Sequence, residues 1–85
     1  MSPPKIVMYV ESWCPYCLRA RSLLADKGAA HEEIDVAAVP GAREEMIARS
    51  GQRTVPQIFI GDRHIGGSDE LVALDAAGEL DPLLK

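Results

Sequence analysis

Two cysteines, Cys14 and Cys17, lie between an apolar run and a helical pattern. Residues 6–10 read Ile-Val-Met-Tyr-Val, a run typical of a strand that is covered on both faces. Where such a strand is followed by a helix, unpaired N–H groups and the positive end of the helix dipole would stabilise a thiolate at Cys14. Pro15 suits the first helical position because its missing N–H has no partner to lose there. Cys17 lies about one turn further on and can form a disulfide with Cys14, so the pattern predicts a redox centre.

Composition limits the classes of partner. The chain has 85 residues, enough for one domain spanning residues 1–85, and 47% of them are hydrophobic. The formal net charge of −4 argues against nucleic acid and anionic membranes as partners. Residues 1–5 lack the pattern of a cleavable signal, and the apolar run that follows is too short for a membrane span. We therefore expect a cytoplasmic monomer, in which a C-x-x-C pair is more often catalytic or metal-binding than a permanent crosslink.

The order of patterns along the chain is β-α-β-α-β-β-α. The fold class predicted is α/β, with a four-stranded mixed sheet flanked by three helices, because a right-handed crossover makes the first two strands parallel and a hairpin adds an antiparallel pair. The first helix directs Leu18, Leu23 and Leu24 toward a core. The elements expected are a strand at 6–10, a helix over 17–27 ended by Gly28, a strand at 33–36, a helix from Pro40 to Gly51, a hairpin of 55–60 and 63–65, and a helix from Ser68 to near Gly78.

Two other interpretations of the cysteines stay open at this point. They could be a buried, inert pair. They could also be metal ligands, but one C-x-x-C supplies only two of about four usual zinc ligands. His31 and His64 lie outside any standard zinc spacing and are expected at the surface without a catalytic role. No metal site is predicted.

Two further segments could bind a ligand. Thr54-Val55-Pro56 places a proline at the start of a strand, where it could be an ordinary trans residue of an edge strand. Alternatively, a cis bond before Pro56 would turn the Val55 backbone outward, so that it could pair with an extended, peptide-like substrate. Gly66-Gly67-Ser68-Asp69 permits close backbone approach; its free N–H groups would suit a carboxylate, and Asp69 would accept from an ammonium. The alternative is a tight turn in which Ser68 or Asp69 caps the next helix.

Taken together, these three motifs resemble those of the glutaredoxins, in particular small bacterial-type dithiol members. The match covers essentially the whole chain: the strand before Cys14-Pro15-Tyr16-Cys17, then the segment 54–60, then the segment 64–69. The resemblance implies a thioredoxin fold, a cis bond before Pro56, glutathione as co-substrate and no tightly bound cofactor. It implies that glutathione and glutathionylated or disulfide-bonded proteins are the partners.

The resemblance also implies roles for individual residues. Cys14 is the exposed nucleophile and Cys17 the resolving thiol. Tyr16 flanks a glutathione groove, and Gln52 or Arg53 meets the glycine carboxylate. The cysteinyl unit of glutathione is assigned to Thr54, Val55 and Pro56. The γ-glutamyl end is assigned to Gly67, Ser68 and Asp69.

Two residues depart from the family pattern. Glu11 stands where glutaredoxins often carry a lysine, and a carboxylate there would disfavour a Cys14 thiolate and repel a glutathione carboxylate if it points toward the site. Trp13 is more thioredoxin-like, and would widen the contact surface for a protein substrate or shield Cys14.

Two rival functions follow from these residues. A thioredoxin-like reductant recharged by a flavin reductase would not require glutathione; segment 66–69 argues against it and Trp13 for it. A [2Fe–2S] carrier would bridge two protomers through Cys14 and glutathione, an arrangement that Pro15 and Cys17 disfavour.

Overall fold

The computed structural model describes residues 4–12 and 14–85. The strands form one sheet in the order β2-β1-β3-β4, in which β1 and β2 are parallel and the other neighbours antiparallel. This confirms the predicted mixed sheet and the order of its elements. The elements are β1 (Ile6–Val10), α1 (Pro15–Asp26), β2 (Glu32–Asp35), α2 (Ala42–Ser50), β3 (Gln57–Ile60), β4 (Arg63–Gly66), α3 (Ser68–Ala76) and α4 (Leu80–Leu83).

Helices cover both faces of the sheet because the central strands are apolar on both. In β1 the side chains of Ile6, Met8 and Val10 enter one core, while Tyr9 enters the other. The first core is completed by α1, α3 and α4, and the second by Ala42 and Met46 of α2. The sheet therefore holds the N-terminus of α1 and the loop before β3 on a rigid scaffold.

Several predicted boundaries and one predicted core residue are wrong. Helix α2 begins at Ala42 rather than Pro40, since Gly41 precedes it with a left-handed φ of 79°. Strand β3 begins at Gln57 rather than at residue 55, because Pro56 has no N–H to donate to the ladder. Leu18 is 59% exposed: the buried stripe of α1 runs through residues 17, 20 and 24, and Leu18 lies off that stripe.

The fourth helix is an addition to the prediction. Leu80 is fully buried in the first core and anchors this short segment. Lys27 at the end of α1 forms ion pairs with Asp75 of α3, at 2.6 Å, and with Asp81 of α4, at 2.9 Å. The C-terminal helices are thus tied to α1 by both packing and charge.

None of the helices within residues 4–12 and 14–85 has the length and apolar character needed to cross a bilayer.

Candidate active site

Cys14 caps the N-terminus of α1. Its backbone is extended, and its Sγ accepts a hydrogen bond from the Cys17 N–H at 3.4 Å. The same sulfur donates to the Val55 carbonyl oxygen at 3.7 Å, so the thiol bridges the helix terminus and the loop before β3. Cys14 is half-buried, and both cysteines are free thiols. An accessible sulfur at a helix N-terminus is positioned to act as a nucleophile.

Cys17 has the opposite environment. Only 1% of the residue is exposed, and it packs in the first core. Burial raises the pKa of the Cys17 thiol to about 12, helped by the neighbouring Cys14 and opposed by a hydrogen bond to the backbone of Glu11. Cys17 is therefore protonated at neutral pH and is a poor nucleophile in this state.

A groove of about 610 Å³ lies beside the cysteines. Every residue assigned to glutathione from the sequence lines it, with the exception of Arg53, which is exposed outside its walls. The Val55–Pro56 bond is cis, as the family resemblance implied. The lining residues are Tyr16, Gln52, Thr54, Val55, Pro56, Gln57, His64, Ile65, Gly66, Gly67, Ser68, Asp69 and Glu70.

Val55 is the centre of one wall. Its side chain packs against both hydrophobic cores, and its carbonyl accepts from the Cys14 thiol. Within the described residues, no hydrogen-bond acceptor lies on the Val55 N–H. The wall thus offers a backbone donor that is free among the described residues and a carbonyl that accepts from the reactive thiol.

The opposite wall contains more charge than the sequence indicated. Helix α3 begins at Ser68 with Gly67 as its N-cap, so the alternative in which Ser68 or Asp69 caps the helix does not hold. Instead the Glu70 carboxylate accepts from the Gly67 N–H at 2.7 Å. Asp69 accepts from Arg19 of α1 at 3.1 Å. One of the N–H groups expected to be free for a ligand carboxylate is thus already occupied.

Gly66 permits this close arrangement. It has φ of 116°, and a methyl group added there would lie 2.8 Å from Glu70 Oε1. A side chain at this position would therefore be strained and would displace Glu70.

Four groove residues were given no ligand-binding role by the sequence analysis: Gln57, His64, Ile65 and Glu70. An acidic residue three positions after Gly67 is a helix-start signal that could have identified Glu70. Gln57 and His64 come together because β3 and β4 pair; the sequence predicted this hairpin but not its register, which shifts between Ile58 and Phe59.

Glu11 is neutralised by a partner from a distant element. Its carboxylate pairs with the Arg43 guanidinium of α2, an ion pair that only the tertiary fold reveals. The expectation for Trp13 lies outside the described residues.

Within residues 4–12 and 14–85, no three or more Cys, His, Asp or Glu side chains are grouped to hold a metal ion.

Comparison with known proteins decides the family. The family model described as Glutaredoxin matches residues 6–65. The chain belongs to the glutaredoxin family. It is 55% identical over 80 residues to Glutaredoxin 3 of Escherichia coli K12, covering 94% of this chain and 96% of that protein. Glutaredoxins are thiol–disulfide oxidoreductases, and glutathione is a substrate of the family.

Solved glutaredoxin structures share the fold. The solution structure of glutaredoxin from Brucella melitensis is 53% identical, with a TM-score of 0.87 and coverage of 100% of this chain and 92% of that one. The crystal structure of a buckwheat glutaredoxin–glutathione complex is 33% identical, with a TM-score of 0.87 and coverage of 96% and 76%. The chain therefore has the thioredoxin-like fold of its family.

Proposed function

We propose that this chain reduces protein–glutathione mixed disulfides and protein disulfides, with Cys14 as the nucleophile and Cys17 as the resolving thiol. One observation carries the proposal: the Cys14 sulfur contacts Val55 O, in the wall of a groove that also contains Asp69. A ligand bound along that wall would present its sulfur to Cys14.

The first half-reaction is a thiol–disulfide exchange. The Cys14 thiolate attacks the glutathione sulfur of the mixed disulfide, a Cys14–glutathione bond forms, and the protein leaves as a thiolate that takes up a proton. The thiolate of a free glutathione then attacks the glutathione sulfur on Cys14. Oxidised glutathione is released and Cys14 returns to its thiolate form.

The groove would select the glutathione sulfur by fixing both ends of the tripeptide. The Val55 N–H and C=O would pair with the cysteinyl unit, in which case the Cys14–Val55 hydrogen bond is given up. Asp69, at the rim shared with Gly67 and Ser68, would accept from the γ-glutamyl ammonium while retaining or exchanging its contact with Arg19. The residues that would contact the rest of the tripeptide are Tyr16, Gln52, Arg53, Thr54 and Pro56.

Protein disulfides require Cys17. Attack by Cys14 leaves a mixed disulfide with the substrate, and Cys17 then displaces the substrate sulfur to form the Cys14–Cys17 disulfide. The Cys17 proton is transferred to the leaving substrate thiolate, and two glutathione molecules later reduce the disulfide. Because burial disfavours the Cys17 thiolate in the reduced protein, the first attack on a substrate belongs to Cys14.

We also propose that the chain acts as a monomer in the cytoplasm. A free dithiol suits a reducing compartment.

The proposal is tested by glutathione-dependent release of glutathione from a glutathionylated peptide. Wild type is expected to be active, and Asp69→Asn is expected to raise KM for the peptide about tenfold through loss of a charged hydrogen bond. The matched control is Asp62→Asn, in the β3–β4 turn, which is expected to leave KM unchanged. A wild-type chain that works equally well with 2-mercaptoethanol in place of glutathione would contradict the proposal.

A further inference from the structure

The Gln57 side chain is a buried polar group with defined partners. The residue is 3% exposed. Its Nε2 donates to the Thr54 carbonyl oxygen at 3.0 Å and approaches Thr54 Oγ1 at 3.3 Å. Because a carbonyl oxygen only accepts, the amide nitrogen faces Thr54 and the amide oxygen faces the other way, toward His64.

His64 completes this arrangement from the neighbouring strand. Its Nε2 lies 2.7 Å from Gln57 Oε1, and since that oxygen only accepts, His64 Nε2 carries a proton and donates it. The imidazole also packs on Phe59, with ring centroids 5.0 Å apart. His64 thus holds the amide oxygen of Gln57, and the amide nitrogen of Gln57 in turn holds the Thr54 carbonyl.

The contact with Thr54 acts on the peptide unit that faces the ligand. The Thr54 carbonyl and the Val55 N–H belong to one trans peptide plane and point in opposite directions. A donor on the Thr54 oxygen therefore orients the Val55 N–H away from Gln57, and polarises the amide so that this N–H is a stronger donor.

We propose that Gln57 and His64 are positioning residues for glutathione: through Thr54 they orient and strengthen the Val55 N–H that pairs with the cysteinyl unit. This inference rests on the proposed function, since it concerns the same groove. It assigns neither residue to the chemical step, so their removal should weaken binding and leave kcat nearly unchanged.

The test measures the affinity of S-methylglutathione, which fills the groove and cannot react, by calorimetry. His64→Phe keeps an aromatic ring on Phe59 and removes the donor, and is expected to weaken binding about fivefold. His64→Gln restores a donor and is expected to bind within about twofold of wild type. Gln57→Leu removes both contacts and is expected to weaken binding about tenfold or more. Unfolding midpoints measured for each variant separate weaker binding from loss of fold.

The matched control is His31→Phe, a change of the chain's other histidine near the opposite sheet edge, which is expected to bind like wild type. In the peptide assay His64→Phe should raise KM with kcat retained. A folded His64→Phe that binds as tightly as wild type, or that loses kcat at constant KM, would overturn the inference. If wild type does not bind S-methylglutathione, the proposed function itself fails.

Discussion

Cys14 and Cys17 are the same residue type, three positions apart, in opposite environments. Cys14 lies at the helix terminus, half-buried, and its sulfur forms hydrogen bonds with backbone groups, the Cys17 N–H and the Val55 carbonyl. Cys17 is 1% exposed in the core, and its pKa is raised to about 12. The difference shows that reactivity is assigned by position in the fold, because Cys14 precedes the first helical residue and contacts the Val55 loop, whereas Cys17 lies on the buried stripe of α1.

The comparison separates two steps of the chemistry. A half-buried but accessible sulfur at the positive end of a helix suits the first attack on a substrate. A buried thiol is protected from side reactions and becomes useful only after a mixed disulfide has formed beside it. Each prediction below tests one part of this division.

The largest expected effect is in alkylation. At neutral pH, Cys17 with a pKa of about 12 is roughly 10⁻⁵ thiolate, so iodoacetamide should modify Cys14 at least about 1,000 times faster than Cys17. Peptide mapping by mass spectrometry after timed quenching measures both rates. In urea the two cysteines should react at similar rates. Similar rates in the folded protein would contradict the difference between the two environments.

The second prediction concerns substrate type. Cys17→Ser should lower the reduction of a protein disulfide about 100-fold, because the mixed disulfide with Cys14 is no longer resolved within the molecule. Release of glutathione from a glutathionylated peptide should change less than about threefold. Insulin turbidity and glutathione release, measured on the same preparations, give the two rates. Equal losses in both assays would mean that Cys17 also serves the glutathione route.

The third prediction concerns Glu11. Glu11→Lys should raise the alkylation rate of Cys14 at mildly acidic pH about threefold, since the neutral Glu11–Arg43 pair is replaced by two positive charges. Glu11→Gln separates loss of the carboxylate from gain of the ammonium, and also leaves Arg43 without its partner. An unchanged ultraviolet thiolate titration in Glu11→Lys would show that this charge does not reach Cys14.

The smallest effect is expected at a pair remote from the groove. Arg21, one turn beyond Cys17, donates two hydrogen bonds to Glu33, at 2.6 and 2.7 Å. This pairing lowers the pKa of Glu33 from 4.5 to about 2, so the stabilisation is present above pH 4.5 and is lost as pH falls toward 2.

Glu33→Gln should therefore reduce the free energy of unfolding by about 0.5 kcal/mol at neutral pH, a small value because the pair is partly exposed. The difference from wild type should vanish near pH 2, as followed by urea unfolding. Asp62→Asn, in the exposed β3–β4 turn, is the control. A change in the Cys14-to-Cys17 alkylation ratio in Glu33→Gln would mean that the contrast between the cysteines depends on this distant pair.

The sequence predicts most of the elements that position the site, because strand β1 and the start of α1 are encoded locally. The apolar run at residues 6–10 predicted strand β1, and the cysteine motif predicted the start of helix α1. The cis bond before Pro56 and the grouping of the groove segments came from family resemblance, since a single sequence does not determine either.

What the sequence could not predict depends on contacts between distant residues. The Glu11–Arg43 pair, the Arg19–Asp69 pair and the Gln57–His64 hydrogen bond each join different elements. Leu18 was misplaced because an apolar residue on an amphipathic helix was assigned to the core, whereas the buried stripe follows Cys17, Ala20 and Leu24.

The most direct test of the account is glutathione-dependent deglutathionylation of a peptide by wild type, Cys17→Ser and Cys14→Ser. Wild type and Cys17→Ser should be active, and Cys14→Ser should be at least about 1,000-fold slower, because the nucleophile is lost. Retained activity in Cys14→Ser would contradict the central claim. Absence of activity in all three would favour a thioredoxin-like reductant or a cluster carrier.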